Sequence, residues 1–251
     1  MKKLTLNIFL ACLVFMFSCS SVKELPMTAE FSANNRSSEI NKHTLGDYLI
    51  SFLDYRAYEN KIVNLISADS TINAGILAPE HWVRMDKMNA AMLFGTDSLK
   101  SRIAYNLVTL TNYQKHRSVL SDIILKDPKS SNYDETDMYR ICTNVSGTII
   151  NSLCKDSVRF SFESPRDPEL TKGKLQIGKD CFLIRPFVRS NPAAPVVLTG
   201  IELVKDSIVY AAMQRFPDNI YKRNKIFLYS KVTALEESVI AAYFAILGTY
   251  L

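Results

Sequence analysis

Glycine is scarce in this chain, with 8 in 251 residues, and so are the residue types from which most active sites are assembled: 3 histidines, 1 tryptophan and 5 cysteines. The shortage of glycine leaves few places where backbone can wrap closely around a ligand, and there is no glycine-rich phosphate loop. His43, His81 and His116 have no metal or relay spacing such as HExxH, no serine stands in a GxSxG elbow, and no CxxC pair is present to hold zinc. Charge of a single sign is lacking as well, since 30 basic residues face 25 acidic ones. That balance excludes the strongly basic surface a nucleic-acid binder needs. Neither a cofactor nor a metal is expected.

A long apolar run occurs at the start. After Met1, Lys2 and Lys3, residues 4–17 are interrupted only by Thr5 and Asn7. The cationic opening and the apolar stretch are the n-region and h-region of a secretory signal, and the run is shorter than the roughly 20 residues of a permanent membrane span. Cys12, chosen as the cleavage cysteine, would leave an apolar region of about eight residues, at the bottom of the usual range.

The stretch Met16-Phe17-Ser18-Cys19-Ser20-Ser21 resembles the lipobox of bacterial lipoproteins, with Phe17 bulkier than the tightest form of that pattern. The resemblance implies that residues 1–18 are removed and that Cys19 carries diacylglycerol. The three-residue pattern Asp, then Ser or Thr, then an apolar residue or Thr recurs at Asp69-Ser70-Thr71, Asp97-Ser98-Leu99, Asp156-Ser157-Val158 and Asp206-Ser207-Ile208. It is similar to the O-glycosylation acceptor of exported Bacteroidota proteins, which makes Ser70, Ser98, Ser157 and Ser207 candidate sugar carriers. Turn and helix-cap chemistry accounts for Asp-Ser before an apolar run equally well. By the same resemblance, Ser20 after the lipidated cysteine, with no acidic run following it, implies delivery to the outer membrane facing the periplasm.

Residues 19–43, rich in Ser, Asn, Glu and Lys without apolar periodicity, are expected to be a flexible tether. The rest, 44–251, suits a single domain. Within it Leu45, Leu49, Ile50, Leu53, Ala57, Ile62, Leu65 and Ile66 recur at helical spacing, as do Met85, Met88, Ala91, Met92 and Leu93 after Pro79, and then Leu99, Ile103, Leu107, Leu110, Val119, Ile123 and Ile124. Residues 44–127 are therefore expected to be helical. From 140 to 232 short alternating runs separated by turn residues predict antiparallel strands, and residues 234–250, uncharged after Glu236 and Glu237, predict a buried helix. The expected fold is α+β: a helical N-terminal half packed on an antiparallel meander closed by the C-terminal apolar helix.

In an oxidising compartment, Cys142 and Cys154 are the candidate disulfide across a hairpin, Cys154 with Cys181 the other closure, and three small buried thiols the alternative. Glu80 and His81 at a helix start are a candidate acid/base pair with Trp82 as a platform, set against a plain surface helix start. Asn132, Asp134, Glu135 and Asp137 make an oxygen-rich stretch that lacks the glycine and spaced glutamate of an EF-hand. Function follows as an expectation from the anchor and the missing motifs: a non-catalytic binding or assembly module of the envelope, joined to the membrane by its lipid and to an envelope protein partner. The alternatives are a periplasmic hydrolase and a carrier with a ligand between sheet and final helix.

Overall fold

Val158, Phe160 and Phe162 alternate with Arg159 and Ser161, and the strand they form buries the first set and leaves the second in contact with solvent. In the computed structural model, which describes residues 28–43, 49–73, 80–116, 135–154, 156–191, 194–215 and 224–250, that strand is one of thirteen. They are β1 (Asn35–Glu39), β2 (Asn41–His43), β3 (Leu49–Phe52), β4 (Tyr55–Asn73), β5 (Glu80–Gly95), β6 (Lys100–His116), β7 (Glu135–Asn151), β8 (Val158–Pro165), β9 (Lys172–Ile177), β10 (Asp180–Asn191), β11 (Ala194–Lys205), β12 (Ile208–Arg215) and β13 (Lys225–Tyr229). Two helices accompany them, α1 (Ala29–Ala33) and α2 (Ala234–Tyr250).

All neighbours are antiparallel, and sequence order is spatial order from β2 to β13. β1 and β2 are two halves of one extended stretch. β1 pairs with β13, β2 pairs with β3, and between them the Ile40 N–H donates to the Asn224 carbonyl at 2.7 Å. The sheet thereby returns to its own start as a nearly closed barrel. Residues 28–43, expected as the end of a tether, are folded. Phe31 and Ile40 are buried, and the backbone between them finds its partners in the sheet.

The lumen is filled by α2. Thr233 and Glu236 form a capping box, the Glu236 N–H bonding the Thr233 hydroxyl while the Glu236 carboxylate accepts from the Thr233 N–H at 2.9 Å. From Ser238 to Gly248 the helix is buried on every side, which is where a helix with no polar face has to lie. Glu237 in its first turn accepts from Arg36 of β1 and from the Tyr55 hydroxyl of β4, tying the helix start to both flanks of the closure. The Tyr243 hydroxyl donates to the Ser161 carbonyl at 2.9 Å, and Gly173 makes room for it, since a Cβ there would stand 2.7 Å from that hydroxyl. Each large apolar side chain so buried contributes about 1.5–3 kcal/mol.

The α+β arrangement expected from the sequence is overturned: residues 49–52, 55–73, 80–95 and 100–116 are strands, and the sheet wraps the C-terminal helix instead of lying beside a helical half. The cause is visible in β4. Its pairing with β5 carries bulges at Tyr58, Val63 and Ile72, and each bulge shifts the period-2 alternation by one residue. Inward positions therefore run 55, 57, 60, 62 and 65, a mixture of steps of two and three that imitates a helix. In β5 both faces carry apolar residues, Met88, Ala90 and Met92 inward and Met85, Ala91 and Leu93 outward, so the merged pattern again reads as helical. Val119, Ile123 and Ile124 lie outside the described residues.

The barrel has two unlike ends. At one, strands join by short turns: Leu53-Asp54, residues 96–99, Gly178-Lys179 and Asp206-Ser207. Asp206 and Ser207 both have positive φ, as a two-residue primed hairpin turn requires. At the other end β4 to β7 continue beyond their neighbours, β4 without a second partner after Arg56 and β7 without one before Cys142 among the described residues. This four-stranded extension is a blade standing over the barrel mouth, where the C-terminal end of α2 arrives.

Candidate functional site

The inner face of the blade is built in rows, one residue from each strand. The row nearest the core is Leu65, Met88, Leu107 and Val145; the next is Ser67, Asp86, Thr109 and Thr143; then Asp69, Arg84, Thr111 and Arg140; and at the tip position 71 faces Trp82, Tyr113 and Met138. Apolar residues thus give way to polar ones where α2 ends, and polar ones to an aromatic pair at the tip. A bulge at Ile141 keeps Arg140 on the inner face.

Each row has its own electrostatic character. Trp82 and Tyr113 stack with ring centroids 5.2 Å apart and planes 4° from parallel, and the Arg84 guanidinium lies over the Tyr113 ring. Arg84 also donates to both carboxylate oxygens of Asp69, at 2.8 and 3.1 Å, so these two charges offset each other. Below it the Ser67 hydroxyl donates to Asp86 at 2.5 Å. Thr143 is 1% exposed, and its Oγ1 has no hydrogen-bond partner. Such a buried hydroxyl costs roughly 1–3 kcal/mol.

Cations gather at the mouth. Arg140 Nη1 donates to the Tyr250 carbonyl at 3.0 Å, meeting the negative end of the helix dipole. Arg215, at the inward end of β12, has its pKa held down by burial and then by Arg140; Lys42, exposed at its tip, has its pKa held down by partial burial and then by Arg215. Arg215 of β12 thus feels Arg140 of β7, and Lys42 of β2 feels Arg215. The Tyr105 hydroxyl, bonded to Asn60 and Tyr250, completes the rim.

The outer face differs. Its positions on β6 to β9 include the polar Arg102, Asn106, Ser146, Arg159 and Lys174 together with the apolar Ala104, Val108 and Ile150. Asn106, Asn144, Ser161, Lys172, Lys174 and Leu183 line an open groove of about 470 Å³ there. Among the described residues no helix is long and apolar enough to cross a membrane, and no group of three or more His, Cys, Asp or Glu side chains is placed to hold a metal ion.

Of the residues singled out in the sequence, Cys19 lies outside the described residues. Ser70, Ser98, Ser157 and Ser207 are all exposed, the last three beside turns at the short-turn end and Ser70 in β4. Cys142, Cys154 and Cys181 are free thiols. The expected bridge from Cys142 to Cys154 is ruled out by distance: nine residues of β7 separate Cys142 from Asn151, about 30 Å of extended chain, whereas a disulfide needs Cα atoms within about 7 Å. Burial first, and the Glu163 carboxylate second, push the Cys142 thiol pKa up, away from nucleophile chemistry. Positions 80 and 81 open a strand, not a helix, and fall on opposite faces of the sheet; His81 bonds Asn112, which donates to Tyr139, on the outer face. Glu135 and Asp137 belong to β7, while Asn132 and Asp134 lie outside the described residues.

Sequence reasoning found Trp82 but missed Arg84, Thr111, Tyr113, Arg140, Thr143, Arg215 and Lys42, which come together only through strand register. No protein-family model, no curated protein and no solved structure matches this chain.

Proposed function

We propose that this chain is a non-catalytic, lipid-anchored binding or assembly module of the cell envelope, carried by Cys19 on the periplasmic side of the outer membrane. The observation that carries the reading is the polarity of the barrel. α1 packs through Phe31 against Val209, Phe227 and Tyr229, beside the short-turn ends of β12 and β13, so the segment leading back to Cys19 leaves from that region. The blade and mouth stand at the opposite end, with Ile62, Val63, Leu65, Ile66 and Met138 each more than half exposed. A tether at one end and a projecting surface at the other is the layout of a protein that presents something to partners in the periplasm.

Two observations favour this reading over the alternatives. The carrier reading asked for space between sheet and final helix, which Tyr243, Phe244, Ile246 and their neighbours fill. The hydrolase reading rested on Glu80 and His81 at a helix start, and positions 80 and 81 instead open β5 on opposite faces of the sheet. The test is native crosslinking followed by mass spectrometry of what co-purifies with the tagged protein, with Cys19→Ala as the unanchored control. Stoichiometric partners that disappear in the control are expected; a clean monomer in both samples overturns the proposal.

A further inference from the structure

The barrel wall below the blade is unevenly charged. On its outer face, from the row of Arg102 to the row of Lys87, strands β5 to β9 expose five cations, Lys87, Arg102, Arg159, Lys172 and Lys174, against one acid, Glu163. Glu163 holds Lys172 at 3.0 Å, and the other four cations have no ion-pair partner among the described residues. The wall is also recessed there. The groove of about 470 Å³ adjoins a second of about 520 Å³, and Asn106, Ser146, Ser161 and Lys174 line both. The joined recess runs along β8 and β9, from Glu163 and Lys172 at one end to Arg159, Gln176 and Gly178 at the other. Its floor is made of short side chains: the Ser146 and Ser161 hydroxyls and the Asn106 amide have no hydrogen-bond partner among the described residues. Phe160 and Phe162 beneath it point inward, 3% and 2% exposed, so a sugar ring finds no wall to stack on. Arg159 stands opposite Gln176, two residues from Lys174, which offsets these two cations by about 7 Å along the strands. Alternate side chains of an extended peptide are offset by the same distance.

We propose that this recess binds an extended acidic peptide of a partner protein, with carboxylates on alternate residues at Arg159 and Lys174 and its backbone amides on Asn106, Ser146 and Ser161. The inference rests on the binding-module reading and names the chemistry of the partner. The unpaired cations draw the acidic segment in and select it by charge, while amide and hydroxyl groups that the fold leaves unengaged answer its backbone. A third carboxylate toward Lys172 meets Glu163, which already holds that cation, so the match is two acids separated by one residue. Leu183, 52% exposed beside Lys174, gives an apolar side chain of the same peptide a place to rest.

The experiment follows the fluorescence anisotropy of a labelled Thr-Glu-Thr-Glu-Thr peptide titrated with the full mature lipoprotein in neutral detergent. Its competitors are Thr-Gln-Thr-Gln-Thr, the isomer Thr-Thr-Glu-Glu-Thr, trigalacturonate and inorganic phosphate. The alternating peptide is expected to bind saturably, about tenfold more tightly than the glutamine peptide, the saccharide or phosphate, and about threefold more tightly than the isomer, whose adjacent acids point to opposite sides. Arg159→Gln and Lys174→Gln are each expected to weaken binding about threefold and together about tenfold. Lys61→Gln, which removes an exposed charge of β4 outside the recess, is expected to leave binding unchanged. Ser146→Leu, at an exposed position, fills the floor and is expected to abolish binding with an unchanged thermal midpoint. No saturable signal, equal binding of any competitor, a double variant or a Ser146→Leu protein that binds as the parent does, or a Lys61→Gln loss as large as that of the double variant would each overturn the assignment. If stoichiometric partners still co-purify from cells in those cases, the peptide chemistry is refuted and the module is not.

Discussion

Asn151 ends β7 and is 1% exposed, yet every polar atom of its side chain is engaged. Its Nδ2 donates to Ser101 Oγ of β6 and to Ser238 Oγ of α2, both at 2.8 Å, and its Oδ1 accepts from the Leu153 N–H at 2.8 Å. Ser101 and Ser238 are themselves buried and 3.4 Å apart. The amide therefore clamps the first buried turn of the central helix to the β6–β7 hairpin at the short-turn end. Asn151→Ala removes three bonds at about 1 kcal/mol each and leaves two serine hydroxyls with only their long mutual contact. A destabilisation of about 3–4 kcal/mol follows. The asymmetry of buried hydrogen bonds gives the sharper half of the prediction: the triple variant Ser101→Ala, Asn151→Leu, Ser238→Ala leaves no orphaned group and is expected to lie within about 1.5 kcal/mol of the parent. Guanidinium unfolding followed by far-ultraviolet circular dichroism and Trp82 emission measures both. A cost below 1 kcal/mol for Asn151→Ala, or a triple variant as unstable as the single one, refutes the clamp.

Gln214 is 1% exposed on the outer face of β12, opposite Gly200 and Lys225, with neither Oε1 nor Nε2 hydrogen bonded, so Gln214→Met is expected to stabilise the fold by about 1–2 kcal/mol, read as a higher guanidinium midpoint. Asp97, in the β5–β6 turn, has its pKa held below the ordinary carboxylate value of 3.8 by Tyr58 first and Arg56 second. A depressed carboxylate contributes stability that is present above that value and lost as pH falls through the folded-state pKa. The turn is therefore expected to loosen only below about pH 4, seen as faster amide exchange at residues 96–99, and not in Asp97→Asn, whose exchange there should already be raised at neutral pH. Alkylation of the denatured, unreduced mature protein is expected to add three labels, at Cys142, Cys154 and Cys181, with exposed Cys181 reacting first in the folded state; one label would restore the disulfide.

What the sequence disclosed and what it hid follow from the same geometry. Clean alternation at Val158, Phe160 and Phe162 marks a strand with one face inward, and the uncharged run after Glu236 and Glu237 marks a helix buried all round. The Asp-Ser pairs at 97–98, 156–157 and 206–207 stand at turns, as local turn chemistry dictates. β4 and β5 were illegible because bulges at Tyr58, Val63 and Ile72 break the period in one and apolar residues occupy both faces of the other. The closure was illegible because 28–43 carries two buried apolar side chains, Phe31 and Ile40, too few for any periodicity. The candidate site was hidden for a different reason. Trp82, Arg140, Thr143, Arg215 and Lys42 are spread over residues 42–215, and only the register of a nearly closed sheet brings their strands to one mouth.

The central claim is that the chain is held at its short-turn end and works at its blade. A photo-crosslinking residue placed in living cells at Met138, 66% exposed on the blade, and separately at Ile208, 47% exposed beside the short turn, tests it directly. Discrete partner adducts from Met138, with lipid or no adducts from Ile208, are the predicted result. Partner adducts from Ile208 and lipid from Met138 would contradict the account.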